Sequence, residues 1–239
     1  MTVVLLAGDP LPGGPPDDVA LGPSLLRDGL SGGQDGGPDG AREFLRIHSP
    51  GPTAAFSRRD TLRPGYPAAA EAVRRLGFTP VVRPQGGSLA AYHRGSVVID
   101  HVCRTPDASS GTLARFRRFA ALHAAVLTGL GVDARIGAVP GEYCPGEYSV
   151  NSGGVRKLVG SAQRVTRDGW LFSTIVQVTG AAVLRAPLTV AYGHLGYDFD
   201  PATVGTVEDT NPGVTVEAVT AALLDAYGAT GPARPVPLR

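Results

Sequence analysis

Residues 156–178, RKLVGSAQRVTRDGWLFSTIVQV, constrain the fold more than any other stretch of the chain. Two β-rich runs flank Asp168-Gly169, and an Asp-Gly pair in that setting is a strong hairpin signal. Side chains alternate along a strand. Lys157, Val159, Ser161 and Gln163 are therefore expected on one face, with Leu158, Gly160, Ala162 and Arg164 on the other. On this reading Lys157, Ser161 and Gln163 line one surface together.

Strands and helices follow one another in the rest of the chain. MTVVLLAGDP reads as a first strand, and residues 17–30 as an amphipathic helix opening on acidic residues. SGGQDGGPDG, residues 31–40, has nothing apolar to bury and reads as a mobile loop. EFLRIHSP, TAAFSRRD, TPVVRP, GSVVIDHV and VDARIG are further strands. YPAAAEAVRRLGF, residues 109–132 and residues 214–228 are helices, and residues 229–239 a frayed, flexible tail. Without a regular βαβ rhythm, the pattern indicates one α+β domain over 1–239, with a mixed, largely antiparallel sheet and helices on one side.

A chain of 239 residues, 43% of them hydrophobic, suits one sizeable domain. A net charge of +1 gives no broad field for nucleic acid or an anionic membrane. The first residues lack the basic leader and cleavage site of a signal peptide, and no apolar run approaches a membrane span. A cytoplasmic protein is the expectation. The two cysteines, Cys103 and Cys144, are too few for a disulfide framework and show no metal-ligand spacing with the histidines.

Among 22 Lys and Arg residues, Lys157 is the single lysine. An ammonium is a compact point charge where guanidinium is a broad fork, so a lone lysine is a candidate for a place where arginine does not substitute, beside the alternative of a coding bias toward arginine. Two segments gather groups suited to chemistry. RPQGGSLAAYH, residues 83–93, offers paired glycines whose N–H groups can approach phosphate or carboxylate oxygens, beside Arg83 as a charged donor. Residues 141–165, GEYCPGEYSVNSGGVRKLVGSAQRV, put Cys144, Glu147, Tyr148, Asn151, a Gly-Gly turn and Lys157 in one short span. No Walker or GxGxxG sequence is present.

Together these segments resemble the biotin and lipoyl protein ligase superfamily, and more narrowly its lipoate-protein ligase branch. The family's arginine, glycine-rich loop and YH pair stand here as RPQGGSLAAYH, its GxKxxGxAxR-like strand as GGVRKLVGSAQR, and its GRxQ segment as FSRRD. The resemblance implies the catalytic-domain fold of that superfamily, class II synthetase-like, with a mixed sheet flanked by helices and a slot for lipoate or octanoate. It implies that Lys157 contacts carboxylate or acyl-phosphate oxygens. Arg83, Gly86 and Gly87 would close over an adenylate, Arg58 takes the place of the family's arginine, and His93 that of the YH histidine. Gly160, Ser161 and Ala162 complete the lysine strand, and no metal ligand is indicated.

The sequence departs from the pattern at Ser88, where the family commonly has a third glycine, and it ends where many lipoate ligases continue into an accessory domain. The resemblance therefore leaves three activities open. In a ligase, ATP and Mg²⁺ serve as co-substrates, and the acyl group goes to a lysine of a lipoyl carrier domain, in a 2-oxoacid dehydrogenase or a glycine cleavage protein. In an octanoyltransferase no nucleotide is needed, acyl carrier protein is the donor, and Cys144, 13 positions before Lys157, carries the acyl group. A thiolate near an ammonium would have a lowered pKa. The third is a binding module that holds an acyl ligand or lipoyl domain without chemistry. A separate accessory protein would serve the ligase.

Overall fold

The computed structural model describes residues 3–29, 43–106, 108–229 and 232–236. The loop expected at 31–40 lies outside them. Among the described residues, ten strands form a seven-stranded and a three-stranded sheet, accompanied by five α-helices.

The hairpin forms as expected. Strands β9 (Arg156–Thr166) and β10 (Gly169–Gln177) pair antiparallel and sit inside the large sheet. Its order is β1 (Val3–Leu6), β2 (Glu43–His48), β6 (Ser96–Arg104), β10, β9, β8 (Val150–Ser152), β7 (Ala134–Ile136). Only β1 and β2 run parallel in it, so the sheet is mixed and largely antiparallel. The small sheet is ordered β4 (Thr79–Arg83), β3 (Thr53–Ser57), β5 (Ala90–Tyr92).

Helices cover both faces of the large sheet, not the one side expected. Leu171 packs with Leu25 and Leu26 of α1 (Pro15–Asp28), whereas its neighbour Phe172 packs with Phe119 of α3 (Thr112–Gly129). Successive residues of a strand point to opposite faces, so β10 is buried from both sides and reads as an almost continuous apolar run. The last helix, α5 (Val216–Ala226), lies on the α3 side and supplies Val219 and Leu223 to that core. No helix among the described residues is long and apolar enough to cross a membrane.

A helix not anticipated from the sequence, α4 (Ala181–Leu195), packs with α2 (Tyr66–Arg75) over the small sheet. Pro187 lies within it, and its apolar residues are buried through Ala181, Leu184, Leu188, Ala191 and Leu195. An internal proline removes a hydrogen bond and ordinarily argues against a helix, but this one is buried in the core. At the other end, the segment expected to fray returns to β1. Arg234 bridges Leu6 in parallel, donating its N–H to Leu5 and accepting from Ala7, both at 2.8 Å.

One irregularity decides what the hairpin presents. Val150 pairs with Val159, but Asn151 pairs with Lys157, so Leu158 is an extra residue on β9. Such a β-bulge shifts the alternation by one residue. Lys157 therefore shares its face with Gly160 and Ala162, where strict alternation had placed Val159, Ser161 and Gln163. A Cβ built on Gly160 would lie 3.1 Å from Cε of Lys157. Ser161 and Gln163 instead direct their polar ends elsewhere: the Ser161 hydroxyl is 2.9 Å from that of Thr174, and the Gln163 amide is held by Thr112 and Arg115 of α3.

Candidate active site

Between the sheet, the N-terminal helix and the loops at 84–88 and 143–149 lies a cavity of about 170 Å³. Two ranks of residues across the large sheet face this side. One is His48, Val98, Ile175 and Gly160; the next is Arg46, Asp100, Ser173 and Ala162. Lys157, Cys144 and the glycines of the 84–88 loop close the opposite end.

Lys157 is 1% exposed, and its ammonium is fully engaged by the protein. It donates to the carbonyl of Tyr143 at 2.9 Å, to that of Cys144 at 2.8 Å and to Oε1 of Glu142 at 3.3 Å. An ammonium has three donors, and three acceptors surround this one. The Tyr143 ring lies 4.8 Å beneath the charge and adds a cation–π contact.

Glu142, which the sequence reading passed over, organises the loop before Lys157. Its buried carboxylate accepts from the N–H groups of Val139 at 3.1 Å and Gly146 at 2.9 Å, and from the Ser149 hydroxyl at 2.8 Å. With Lys157 as a fourth donor, the charge is hydrogen-bonded as a buried carboxylate must be. A glutamate two residues before the cysteine was the available signal. Its spacing alone did not distinguish it from a surface acid.

This scaffold holds Cys144 in a strained conformation. Its φ is +42°, and no other non-glycine residue among those described has a positive φ. Both peptide groups are tied: the N–H donates to the Tyr192 hydroxyl at 2.6 Å, the carbonyl accepts from Lys157, and Tyr192 itself donates to the Leu89 carbonyl at 2.9 Å. The thiol is thereby aimed at the glycine loop. Sγ accepts the Ser88 N–H at 3.2 Å, and Nη2 of Arg83 lies 3.9 Å away. A backbone donor and a guanidinium thus meet the sulfur from the loop side.

The loop at 84–88 is shaped to receive that sulfur. Gly87 has φ +96°, and a Cβ there would fall 2.7 Å from Sγ. Gly86 has open space. Arg83 donates to the Ser88 carbonyl at 2.9 Å, while its Nε is buried with no hydrogen-bond partner. Arg59 reaches the Ser88 hydroxyl at 3.1 Å and stacks its guanidinium over Tyr197 at 5.6 Å. Ser88 thus fastens the loop to the thiol and to Arg59.

The structure brings Arg83, Gly86, Gly87, Cys144, Lys157, Gly160, Ser161 and Ala162 to this cavity. Ser88 touches the thiol from just outside it. Arg58 is not there: it is exposed in the turn after β3, and its neighbour Arg59 reaches Ser88. His93 also lies apart, in the turn between β5 and β6. Its Nδ1 accepts the Gly95 N–H at 3.1 Å, its ring packs against the Gly180 turn, and burial lowers its pKa.

Comparison with known proteins places this arrangement among relatives. The structure superposes on a lipoate-protein ligase A bound with ATP with a TM-score of 0.72 at 17% identity, covering 99% of this chain and 90% of the other. It superposes on a bipartite lipoate protein ligase studied with its E2 lipoyl domain, from Thermoplasma acidophilum, with a TM-score of 0.63 at 18% identity, over 98% and 86% of the two chains. At these identities the likeness concerns the fold. In sequence, the chain is 29% identical over 144 residues to an octanoyl-[GcvH]:protein N-octanoyltransferase of Geobacillus kaustophilus (strain HTA426), a match covering 60% of this chain and 50% of that protein. The chain thus matches about half the length of that curated relative. Residues 57–228 match the family model of the lipoyl protein ligase A/B catalytic domain, well over half of the chain, and the protein belongs to that family.

Proposed function

We propose that this protein is a cysteine-dependent acyltransferase that moves a short or medium acyl chain from a carrier to a lysine of a lipoyl-type carrier domain. The supporting observation is Cys144: a strained, doubly tethered residue whose sulfur meets a backbone N–H and a guanidinium at the rim of the cavity. A cysteine that served only packing would have no need of such a conformation, which costs about 1–3 kcal/mol.

In this mechanism the Cys144 thiolate attacks the acyl carbonyl of a thioester donor. The oxyanion is met by Arg83, whose guanidinium already lies beside the sulfur while the Ser88 N–H holds the thiol in place. The carbon–sulfur bond to the donor breaks, and the donor thiol leaves with a proton. The amine of the acceptor lysine then attacks the acyl group on Cys144, an amide forms, and the thiol is regenerated with the amine's proton. Lys157 is a positioning residue here. Its donors fix the Cys144 carbonyl and the loop, so it orients the nucleophile without touching the acyl oxygen.

An ATP-dependent ligase is the second reading, favoured by the ATP-bound relative in fold and by the unpartnered Nε of Arg83, a buried donor suited to an anion. Arg83 and the glycines would hold the phosphates, and ATP would supply the activation of the acid. The Ser88 N–H would then have to leave Sγ. That contact makes the transferase the better fit.

Intact mass of an apo lipoyl domain separates the two readings after incubation with octanoyl acyl carrier protein, with octanoylated glycine-cleavage H protein, or with lipoate, ATP and Mg²⁺. Octanoylation from either carrier without nucleotide, abolished by Cys144→Ser, is the expected result. Modification only in the ATP tube, unaffected by Cys144→Ser, overturns the transferase in favour of the ligase. No modification in any tube leaves a binding module.

A further inference from the structure

We infer that this cavity prefers an acyl chain that ends in a hydrogen-bond donor, a hydroxyl or an amine, over one that ends in a bare methyl group; the inference rests on the reading of the site as an acyl pocket. A slot for a purely apolar tail would be floored with apolar side chains. Here the rank of the sheet beyond Gly160 and Ile175 centres on Asp100 and Ser173. Ala162, on that rank, lies two residues, about 7 Å, beyond Gly160, which itself abuts Lys157. The polar rank therefore lies two strand residues beyond the glycine that abuts Lys157.

The floor is rich in acceptors that the protein does not fill. Gln85 donates to the Ser173 hydroxyl at 2.7 Å, and Ser173 donates in turn to the Asp100 carboxylate. That leaves Oε1 of Gln85 buried with no partner. Asp18, reaching in from α1, accepts from Arg46 at 2.8 Å and from the Leu11 N–H at 3.2 Å through Oδ1, while its Oδ2 is unpartnered. Asp18 and Gln85 are 4% and 6% exposed, and both border the cavity.

Asp100 sharpens the preference for a donor. Its hydrogen-bond donor is Ser173, and burial raises its pKa against the lowering effect of that bond and of the Arg46 charge on the same rank. His48 borders the same space with Nδ1 unpartnered, and burial lowers its pKa to about 3, so it is neutral and supplies no compensating charge. A methyl terminus placed here would leave Oδ2 of Asp18 and Oε1 of Gln85 without donors and bring none to Asp100 beyond Ser173. Sites built to hydrogen-bond a substrate group discriminate strongly against the analogue that lacks it, because their own polar groups are then stranded.

Calorimetric titration of the whole protein with free acids tests this without turnover. The probes are octanoate, 8-hydroxyoctanoate and 8-aminooctanoate, with the six-carbon set hexanoate, 6-hydroxyhexanoate and 6-aminohexanoate. At one length at least, the hydroxy or amino acid should bind tenfold or more tightly than the unsubstituted acid. That preference should shrink below threefold in Asp100→Leu and in Ser173→Ala. Preference for the amine identifies an ionised Asp100 in the complex, preference for the hydroxyl a protonated one. Equal or tighter binding of the unsubstituted acids at both lengths, absence of binding by all six, or a preference untouched in both variants overturns the inference. Because Cys144→Ser should retain the preference, the two readings fail separately. Octanoyl transfer with no preference sinks the donor-ended chain alone; a clear preference with no acyl-Cys144 from any carrier sinks the transferase alone.

Discussion

Lys157 and Cys144 meet through a backbone oxygen: the ammonium donates to the Cys144 carbonyl at 2.8 Å while the thiol points to the far side of the same residue, at the Ser88 N–H. The lone lysine is accordingly part of the mount that sets the cysteine's conformation. Its compact charge suits the task, since three acceptors from three consecutive residues, Glu142, Tyr143 and Cys144, converge within 3.3 Å of one nitrogen.

Replacing Lys157 should uncouple that mount. Lys157→Met strands the buried Glu142 carboxylate and should cost about 3–5 kcal/mol in urea unfolding. Lys157→Arg keeps the charge, but its planar fork does not reproduce three convergent short bonds. Acyl-Cys144 formation should fall about 100-fold, as expected when a nucleophile is displaced by an ångström. Near-normal acylation by Lys157→Arg would remove the positioning role.

The strain at Cys144 has a stability signature. Glycine adopts positive φ freely, so Cys144→Gly should be more stable than Cys144→Ala by about 1 kcal/mol, although both lack the thiol. Denaturant midpoints of the two variants, compared at equal slope, give the answer. Equal midpoints would show a relaxed backbone.

Neighbouring glycines should respond in opposite ways. Gly87→Ala forces positive φ on alanine and drives its Cβ to 2.7 Å from Sγ, so thiol alkylation and acyl transfer should both drop at least tenfold. Gly86→Ala meets nothing within 4 Å and should keep activity within about threefold. Parallel single-turnover rates for the two variants are the check.

Acid should destabilise the fold through buried neutral histidines. His123 sits among Phe119 and Tyr227, and burial lowers its pKa to about 3, as it does for His48. With the unfolded value near 6.5, the unfolded chain binds the extra protons. Stability is thus fully present above about pH 6.5 and is lost as pH falls toward 3. Between pH 6.5 and 4.5 each histidine should account for about 2 kcal/mol. His123→Phe should recover roughly half of the combined loss in denaturation experiments at the two pH values; an unchanged slope would exclude His123 as a source.

The hairpin, the mixed sheet and the cluster of Cys144, Lys157, Arg83 and the paired glycines were legible because each has a local cause. A turn dipeptide, alternating patterns and glycines at close approaches leave marks in consecutive letters. What escaped depends on contacts between distant segments. The α4 helix carries a proline that argues against it locally, and only its packing on α2 offsets this. Tyr192 reaches Cys144 from that helix, 48 residues away, and no pattern near either residue announces the bond. Arg58 and Arg59 are adjacent letters, and the turn after β3 decides which of them faces Ser88. The floor made by Asp18, Asp100, Ser173 and Gln85 draws on four separate segments.

A lysine and a glycine three apart on a strand stand an odd number of steps from each other, so in an unbroken strand they would look in opposite directions. The inserted Leu158 restores their agreement, which makes the spacing K-x-x-G a reading frame as much as a set of chemical groups. Ironing out that bulge with the leucine kept, so that the strand alternates strictly, would leave every polar group of the site in the chain and turn the ammonium toward the helices behind the sheet. The same letters at the same composition would then encode a wall without a handle on its cysteine.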